Sequence, residues 1–273
     1  MGTFVARYAV RLLLLAGAVL SLVPFLWMAV AATHSTSELF DSPPPFLPGG
    51  KLLENLARLQ DTIGFGRVMA NSLGIALVHT ALSSLVSAMC GYGLAKYRFR
   101  GRGLLLGVVL ATMMIPFQVL LVPLFQMMAN LGWVDTYQAV ILPFLANSFG
   151  ILLMRQAFTT FPDEILESAR IDGSGELRTF YQVVLPCVRP QLGALVIFTF
   201  MGAWNSFIWP LLMLNSEEKY TVPVALNTLT GLTRVDYSGL MLGSLLATLP
   251  LMLLFLLFQR QFVAGLLGGA VKG

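Results

Sequence analysis

Charged side chains are scarce in this chain of 273 residues, since 11% are charged while 57% are hydrophobic. The central part of every long apolar run lacks Asp, Glu, Lys and Arg altogether. Carriers that couple transport to protons or ions usually hold buried ionisable groups along their path, so this absence argues against them. A sodium site made only of backbone carbonyls and hydroxyls stays open as an exception.

A phosphate-binding loop is also missing. The chain contains four lysines, Lys51, Lys96, Lys219 and Lys272. None of them is followed by Ser or Thr or lies in the glycine frame that such a loop requires. The chain therefore cannot use ATP by itself, and energy from ATP must come through another subunit.

Cysteine and histidine are rare, with two of each. Cys90 and Cys187 fall at the predicted cytoplasmic ends of different apolar runs, where the environment is reducing, so both are predicted to be small packing residues. His34 and His79 belong to different elements. No spacing of His, Cys and carboxylates indicates a metal, and we predict no metal and no cofactor in this chain.

Long apolar runs dominate what is present, and the mean hydropathy is +0.79. Each run approaches the ~20 residues that a helix needs to cross a bilayer, and each is continuously apolar instead of alternating as a barrel strand does. We therefore predict an all-α membrane protein with six transmembrane helices. The runs lie near residues 11–31, 71–94, 103–128, 136–157, 188–213 and 239–258. The first is longer than the apolar part of a signal peptide and is predicted to be a retained helix.

Basic residues predict the orientation of these helices. With the N-terminus inside, the inner segments hold twelve Lys and Arg and the outer segments hold five, as the positive-inside rule requires. Both termini, and the polar segment 160–187, are therefore expected in the cytoplasm. The net charge of +4 reflects this orientation and does not indicate nucleic-acid binding.

The organisation predicted along the chain has two parts. Residues 1–70 hold the first span and a long outer segment, in which SPPPFLPGG at 42–50 is expected to be extended and 51–60 to form an interfacial helix. Residues 71–273 form the transmembrane core, with segment 160–187 on its cytoplasmic side.

Segment 160–187 has the pattern of a helix, a turn and a second helix. Pro162 and the acidic residues after it predict a helix start, and Gly173 predicts its end. Ser174 is the predicted N-cap of a second helix that continues until Pro186. Such a pair can present apolar side chains to a groove on a partner. The predicted contacts are Ile165, Leu166, Ala169 and Leu177. A helix lying flat on the lipid is disfavoured, because acidic residues match or outnumber basic ones in this segment.

The sequence ESARIDGSGELRTFYQVVLP at 167–186 resembles the EAA loop in membrane subunits of bacterial ABC importers. Ser168 stands where that family usually has Ala, and Val183 where Ile is common. WNSFIWPLL at 204–212 and the ending GAVKG at 269–273 are also similar to the carbohydrate-type permeases, particularly the maltose-type second permeases. We call segment 160–187 the EAA loop.

The resemblance implies the type I importer fold and a non-catalytic subunit in the cell membrane of a bacterium or archaeon, which is the inner membrane in a Gram-negative cell. Its partners would be a second permease, a cytoplasmic ATPase dimer that binds ATP and Mg²⁺, and an extracytoplasmic solute-binding protein. The maltose-type resemblance suggests that the two permeases form a heterodimer. The residues implied in coupling to the ATPase are Glu167, Ser168, Ala169, Asp172, Gly173, Leu185 and Pro186.

Polar amides and aromatic rings inside apolar runs are candidates for the substrate pathway, because neutral sugars are held by hydrogen bonds and ring stacking. The candidates are Gln118, Asn147, Trp204, Asn205 and Trp209. The amides could instead hydrogen-bond between helices, and the tryptophans could anchor helices at the interface. The lack of buried cations favours a neutral sugar or oligosaccharide over a phosphate or carboxylate.

Three other functions stay open. One is an ABC permease for a polyol phosphate or another charged solute, with the anion contacts supplied by a partner. Another is a secondary carrier that works alone, which the EAA loop disfavours. The third is a membrane enzyme, which the missing catalytic constellation disfavours.

Overall fold

The computed structural model describes residues 2–231 and 235–267, and its regular elements within these ranges are helices. The all-α prediction is confirmed. The ending GAVKG, together with the basic residues Arg234 and Lys272 used for the orientation, lies outside the described residues.

The helices follow one another along the described chain, and residues 32–51 form the longest connection between two of them. They are α1 Gly2–Ala31, α2 Leu52–Ile63, α3 Phe65–Lys96, α4 Arg102–Thr112, α5 Phe117–Asn130, α6 Tyr137–Ile141, α7 Ser148–Thr159, α8 Asp163–Ile171, α9 Glu176–Thr179, α10 Leu185–Cys187, α11 Arg189–Trp204, α12 Ile208–Met213, α13 Val222–Thr228 and α14 Tyr237–Leu267. A 3₁₀ turn, Leu142–Phe144, extends α6, and a π-helical segment, Phe180–Val184, joins α9 to α10.

Three of the six predicted spans are unbroken helices of sufficient length and hydropathy, Ala9–Ala31, Phe65–Lys96 and Tyr237–Gln259. Three bent helix pairs are also long and apolar enough to cross a membrane. They are α4 with α5, bent by 103°, α6 with α7, bent by 43°, and the Glu176–Cys187 segment with α11, bent by 86°. The count of six spans, and the cytoplasmic placement of the termini, stay predictions.

The apolar pattern predicted one helix for each run, but the runs at 103–128 and 188–213 are broken, as is the run at 136–157 between α6 and α7. In the first, Pro116 has an extended backbone (φ −61°, ψ 134°) and serves as the N-cap of α5. Proline donates no hydrogen bond and disfavours a helical residue before it, so the chain turns there. In the second, α11 ends at Trp204 and α12 begins at Ile208. Hydropathy measures the length of an apolar run but does not detect such breaks.

The described residues divide into two compact units, 2–68 with 224–231 and 235–249, and 69–223 with 250–267. In the first unit, residues 41–51 form no regular helix and α2 closely matches the predicted helix at 51–60. The buried Asn55 Nδ2 donates to the carbonyls of Ala32 and His34, both at 2.8 Å. The neighbouring side chains of Leu52, Leu53 and Leu56 are exposed.

In the second unit, α3 crosses α7 where small residues allow close approach. A Cβ atom added to Gly91 would lie 2.7 Å from the backbone nitrogen of Arg155, and one added to Gly150 would lie 2.6 Å from Ser87 Oγ. Around this crossing, Met154, Phe158 and Leu195 are completely buried. The crossing fixes α3 against the helix that leads into the EAA loop.

A polar clamp around Asp135 joins the turn before α6 to residues 215–219. Its Oδ1 accepts the N–H groups of Asn215 and Ser216 at 3.0 Å, and its Oδ2 accepts from Ser216 Oγ at 2.6 Å and from Lys219 Nζ at 2.7 Å. The hydrogen bond from Lys219 is the main reason that the pKa of Asp135 lies well below its usual range. Asp135 also has a φ of 61°, a conformation that Asp and Asn adopt more easily than most residues.

Candidate EAA loop and membrane cavity

The first helix of the EAA loop begins and ends close to the predicted residues. Pro162 is the N-cap of α8, and Asp163 and Glu164 lie in the first turn. At the other end Gly173 has a φ of 76°, its N–H donates to Arg170 O at 3.0 Å, and Ser174 N donates to Ala169 O at 2.9 Å. These two hydrogen bonds form the Schellman arrangement that closes a helix through a left-handed glycine.

The second helix differs from the prediction at both ends. Its N-cap is Gly175, not Ser174, whose hydroxyl instead accepts from Thr179 Oγ1 at 3.0 Å. The helix also passes through Pro186 and ends at Cys187, because α10 starts a new turn with the proline in its first positions. A proline needs no N–H at a helix start, so it interrupts the chain less than expected.

The coupling residues implied by the resemblance differ in exposure. Glu167, Ser168, Asp172 and Gly173 are exposed, and Leu185 and Pro186 are half-buried. Ala169 and Leu166 are buried within the chain, and their contact with a partner stays a prediction. Their spacing of three residues places them on the inner face of α8.

The exposed apolar residues of the loop include one that was not among the predicted contacts. Ile171 is 86% exposed and Leu177 is 67% exposed, while Ile165 is 38% exposed. Ile171 lies three residues after Ser168 and seven after Glu164, so helical spacing alone would have placed it on their face. The hydroxyl of Ser168 donates to Glu164 O at 2.9 Å, which explains how Ser replaces Ala without leaving an unsatisfied polar group.

Contacts from the end of α3 hold the EAA loop. Lys96 Nζ donates to Phe161 O and to Asp163 Oδ1, both at 2.5 Å, and the Lys96 side chain is only 8% exposed. The hydrogen bond from Lys96 lowers the pKa of Asp163. The Tyr97 hydroxyl donates to Glu176 Oε2. Burial, and then this bond, raise the pKa of Tyr97. The sequence held no signal for these anchors, because each joins residues more than sixty positions apart.

A cavity of about 240 Å³ lies within the second unit, between α3, α5, α6, α7, α11 and α12. Its aromatic side consists of Phe117, Phe144 and Trp209, whose rings meet edge to face at centroid distances of 5.5 to 6.3 Å. Trp209 is fixed by its Nε1, which donates to Ala139 O at 2.9 Å.

The polar side of the cavity consists of His79, Asn147, Thr199 and Ser206. His79 Nδ1 lies 3.2 Å from Ile141 O, and Asn147 Oδ1 accepts the N–H of Gly150 at 2.9 Å as the N-cap of α7. Thr199 is 3% exposed, and its hydroxyl has no hydrogen-bond partner within the described part of the chain. The lining among described residues includes no Asp, Glu, Lys or Arg.

The structure brings two of the five predicted pathway residues together. Asn147 and Trp209 line the cavity. Trp204 is buried elsewhere, stacked on Phe200 at 5.8 Å, and Asn205 and Gln118 are exposed. His79, Thr199 and Ser206 also line the cavity but were not among the predicted pathway residues. Hydroxyls are common in apolar spans, so their pattern does not distinguish Thr199 or Ser206, and a single histidine forms no pattern.

The comparison with protein families decides the identity of the chain. Residues 83–267 match the family described as "Binding-protein-dependent transport system inner membrane component". This chain belongs to that family. Membership confirms the predicted resemblance to ABC importer permeases, and it makes the chain a membrane transport subunit and not an enzyme.

Individual members of this transport family are similar over most of the chain. The lactose transport system permease protein LacG of Rhizobium radiobacter is 38% identical over 251 residues, which cover 92% of this chain and 91% of the relative. The arabinooligosaccharides transport system permease protein AraQ of Bacillus subtilis is 40% identical over 203 residues, covering 74% and 72%. The sn-glycerol-3-phosphate transport system permease protein UgpE of Yersinia pestis is 32% identical over 264 residues, covering 94% of each chain.

A solved structure supports the fold of this family member. It is a bacterial ABC transporter involved in the import of the acidic polysaccharide alginate, with a TM-score of 0.81 over 94% of this chain and 96% of that chain. The two sequences are 22% identical, so the likeness concerns the fold alone.

Proposed function

We propose that this chain is a permease subunit of an ATP-driven importer that carries a neutral sugar or oligosaccharide into the cytoplasm. The observation that supports the substrate class is the cavity, which combines aromatic faces with neutral polar side chains. Sugars offer flat apolar faces for stacking and hydroxyls for hydrogen bonds, and this lining supplies partners for both. The names of two relatives, one for lactose and one for arabinooligosaccharides, agree with this substrate class.

A phosphorylated solute is the second candidate, because a relative is named for sn-glycerol 3-phosphate. Phosphate groups are usually bound by Arg or Lys, often in bidentate geometry. The described lining residues of the cavity include neither, so a charged solute would need a partner to supply those contacts. The lack of Arg and Lys among the described lining residues favours the neutral sugar as substrate.

The EAA loop is proposed to dock on a cytoplasmic ATPase dimer that binds ATP and Mg²⁺. Its exposed side chains combine Ile171 and Leu177 with the acidic residues Glu164, Glu167 and Asp172. Apolar anchors surrounded by charge suit a groove with an apolar floor and a basic rim. A second permease and an extracytoplasmic solute-binding protein complete the proposed complex, as in transport that depends on a binding protein.

The unpartnered hydroxyl of Thr199 provides a test of the cavity. In Thr199→Val the shape is nearly kept while the hydroxyl is removed, and Thr80→Val is the matched control. Thr80 is similarly buried and its hydroxyl also has no partner within the described chain, but it does not line the cavity. Removing a buried unsatisfied hydroxyl is expected to leave stability unchanged or raise it by about 1 kcal/mol in both variants.

Uptake distinguishes the two variants. The complex is purified with its native partners and reconstituted in liposomes, and uptake of labelled lactose, arabinotriose and sn-glycerol 3-phosphate is measured. We expect uptake of a neutral sugar, reduced in Thr199→Val and unchanged in Thr80→Val. Uptake of sn-glycerol 3-phosphate alone would contradict the substrate class, and equal sugar uptake by both variants would contradict the role of the cavity.

A further inference from the structure

The two ends of the EAA loop are held by consecutive residues at the end of α3. Lys96 binds the entry to the loop, through Phe161 O and the carboxylate of Asp163. Tyr97 binds the exit, through the carboxylate of Glu176 at the start of α9. The helix between these anchors, α8, is therefore fixed to the end of α3 on both of its sides.

The carboxylate of Glu176 connects three elements. Its Oε2 accepts from the Tyr97 hydroxyl at the end of α3. Its Oε1 accepts from Arg170 of α8, with 3.2 Å to Nε and 3.0 Å to Nη2. Because the acceptor is ionised, both interactions are stronger than hydrogen bonds between neutral groups. A displacement of α8 or α9 therefore pulls on Tyr97.

Aromatic packing places Tyr97 for this contact. The ring of Tyr92, just over one turn earlier, meets the ring of Tyr97 edge to face at 5.6 Å. Tyr92 also contacts Phe158 of α7 at 5.5 Å and Phe180, which directly follows α9, at 5.2 Å. The end of α3 is thus packed against helices on both sides of the loop, and the Tyr97 hydroxyl has a fixed direction.

The same helix reaches the cavity. Ile75 and His79 of α3 line it, and α3 is continuous from Phe65 to Lys96, whereas three other candidate spans are bent. His79 and Lys96 are separated by about 26 Å along the helix axis, at ~1.5 Å per residue. A continuous helix transmits a displacement over this distance better than one with a break.

We propose that Tyr97 is a positioning residue that ties the EAA loop to α3, so that movement imposed on the loop by the ATPase reaches the cavity through this helix. The inference rests on the proposed docking of the EAA loop to the ATPase. Beyond that docking, the inference names α3 as the path of the movement inside this chain and the contact of Tyr97 with Glu176 as its starting point.

Tyr97→Phe is the decisive variant, because it removes one hydroxyl and keeps the ring that packs on Tyr92. Tyr181→Phe is the matched control. Tyr181 belongs to the same loop and also loses a hydroxyl, but that hydroxyl forms no hydrogen bond within the part of the chain that the structure describes. Glu176→Gln is the conservative variant, since the amide oxygen still accepts from Tyr97.

The readout is the accessibility of the cavity, which needs no knowledge of the transported sugar. Ser206→Cys serves as the reporter in a background with Cys90→Ser and Cys187→Ser. The complex with its native partners is reconstituted in liposomes, and a membrane-impermeant methanethiosulfonate reagent labels the reporter with and without MgATP and vanadate. ATP hydrolysis and ATPase co-purification are measured in parallel.

We expect MgATP and vanadate to change the labelling rate in the otherwise unmodified complex and in Tyr181→Phe. In Tyr97→Phe the change is expected to shrink by roughly tenfold, the effect of losing one hydrogen bond to a charged acceptor, while the ATPase stays bound and active. In Glu176→Gln the ATP-dependent change in labelling rate is expected to lie between the changes seen in Tyr97→Phe and Tyr181→Phe. If Tyr97 is a positioning residue, ATP hydrolysis continues in Tyr97→Phe while the accessibility of the cavity no longer responds to it. If its role is purely structural, complex assembly and ATP hydrolysis decrease together.

Two results would overturn the inference in different ways. A full ATP-dependent change in Tyr97→Phe would refute the role of Tyr97 and leave the function of the EAA loop intact. If no ATPase co-purifies with the unmodified chain, the proposed docking of the EAA loop fails, and the inference fails with it.

Discussion

Replacing Gly91 by Ala tests the close crossing of α3 and α7. The added Cβ would lie 2.7 Å from Arg155 N, 2.8 Å from Met154 Cβ and 3.0 Å from Ile151 O. Two of these atoms belong to the α7 backbone, so no change of rotamer can move them away. The two helices must separate to accommodate one methyl group.

Gly93→Ala is the matched control on the same helix, because a Cβ there would meet no atom within 4 Å. Exchanging Gly for Ala inside a helix favours folding by about 1 kcal/mol from backbone propensity alone. Overpacking a close contact costs about 1–3 kcal/mol. The free energy of unfolding should therefore rise in Gly93→Ala by up to ~1 kcal/mol, and Gly91→Ala should lie about 1–3 kcal/mol below it.

Thermal unfolding of the detergent-purified protein measures this difference. A difference of ~1 kcal/mol corresponds to about 2–4 °C in Tm for a chain of this size class. Gly91→Ala should unfold several degrees below Gly93→Ala at equal expression. Equal midpoints for the two variants would refute the close crossing as the structure shows it.

Three further predictions concern the clamp, the cavity and the EAA loop. Because Lys219 holds the pKa of Asp135 below its usual range, the clamp stabilises the fold above a pH of about 4 and loses this contribution as the pH falls further. Asp135→Asn should accordingly lower Tm at neutral pH, and the difference from the unmodified protein should shrink in acid. Trp209→Phe keeps a ring in the cavity but loses the hydrogen bond to Ala139 O, so the KM of sugar uptake should rise. Unchanged uptake kinetics would show that Trp209 does not contribute to the substrate pathway. Gly173→Val should abolish uptake without preventing membrane insertion, because a β-branched residue is strained at a φ of 76°. Gly173→Asn should retain part of the uptake. Normal uptake by the valine variant would contradict the role of this turn.

Local signals in the sequence predicted the first helix of the EAA loop closely and the second only in its existence. Pro162 and Gly173 act within one or two turns, so their effect on α8 does not depend on the rest of the fold. The sequence did not show that Leu166 and Ala169 face inward, because the burial of Ala169 depends on the residues it packs against. These residues come from distant parts of the chain, and no local pattern identifies them.

The cavity shows the same limit more clearly. Trp204 and Trp209 are five residues apart and looked equivalent in a single apolar run. The helix breaks between them at residues 205–207, so helical spacing no longer relates their directions. Trp204 packs on Phe200, while Trp209 turns toward the cavity. A short break in an apolar run can therefore send two similar side chains to different surroundings, which residue type alone does not predict.

The two substitutions proposed at the end of α3 separate packing from coupling in one helix. Gly91 and Tyr97 lie six residues apart, so both act near the same end of α3. Gly91→Ala disturbs the crossing with α7 and should reduce stability, ATP hydrolysis in the complex and cavity opening together. Tyr97→Phe leaves the crossing intact and should reduce only the ATP-dependent opening. If both variants gave the same pattern, the end of α3 would serve as a packing element alone, and the movement would have to reach the cavity through α7 or α11.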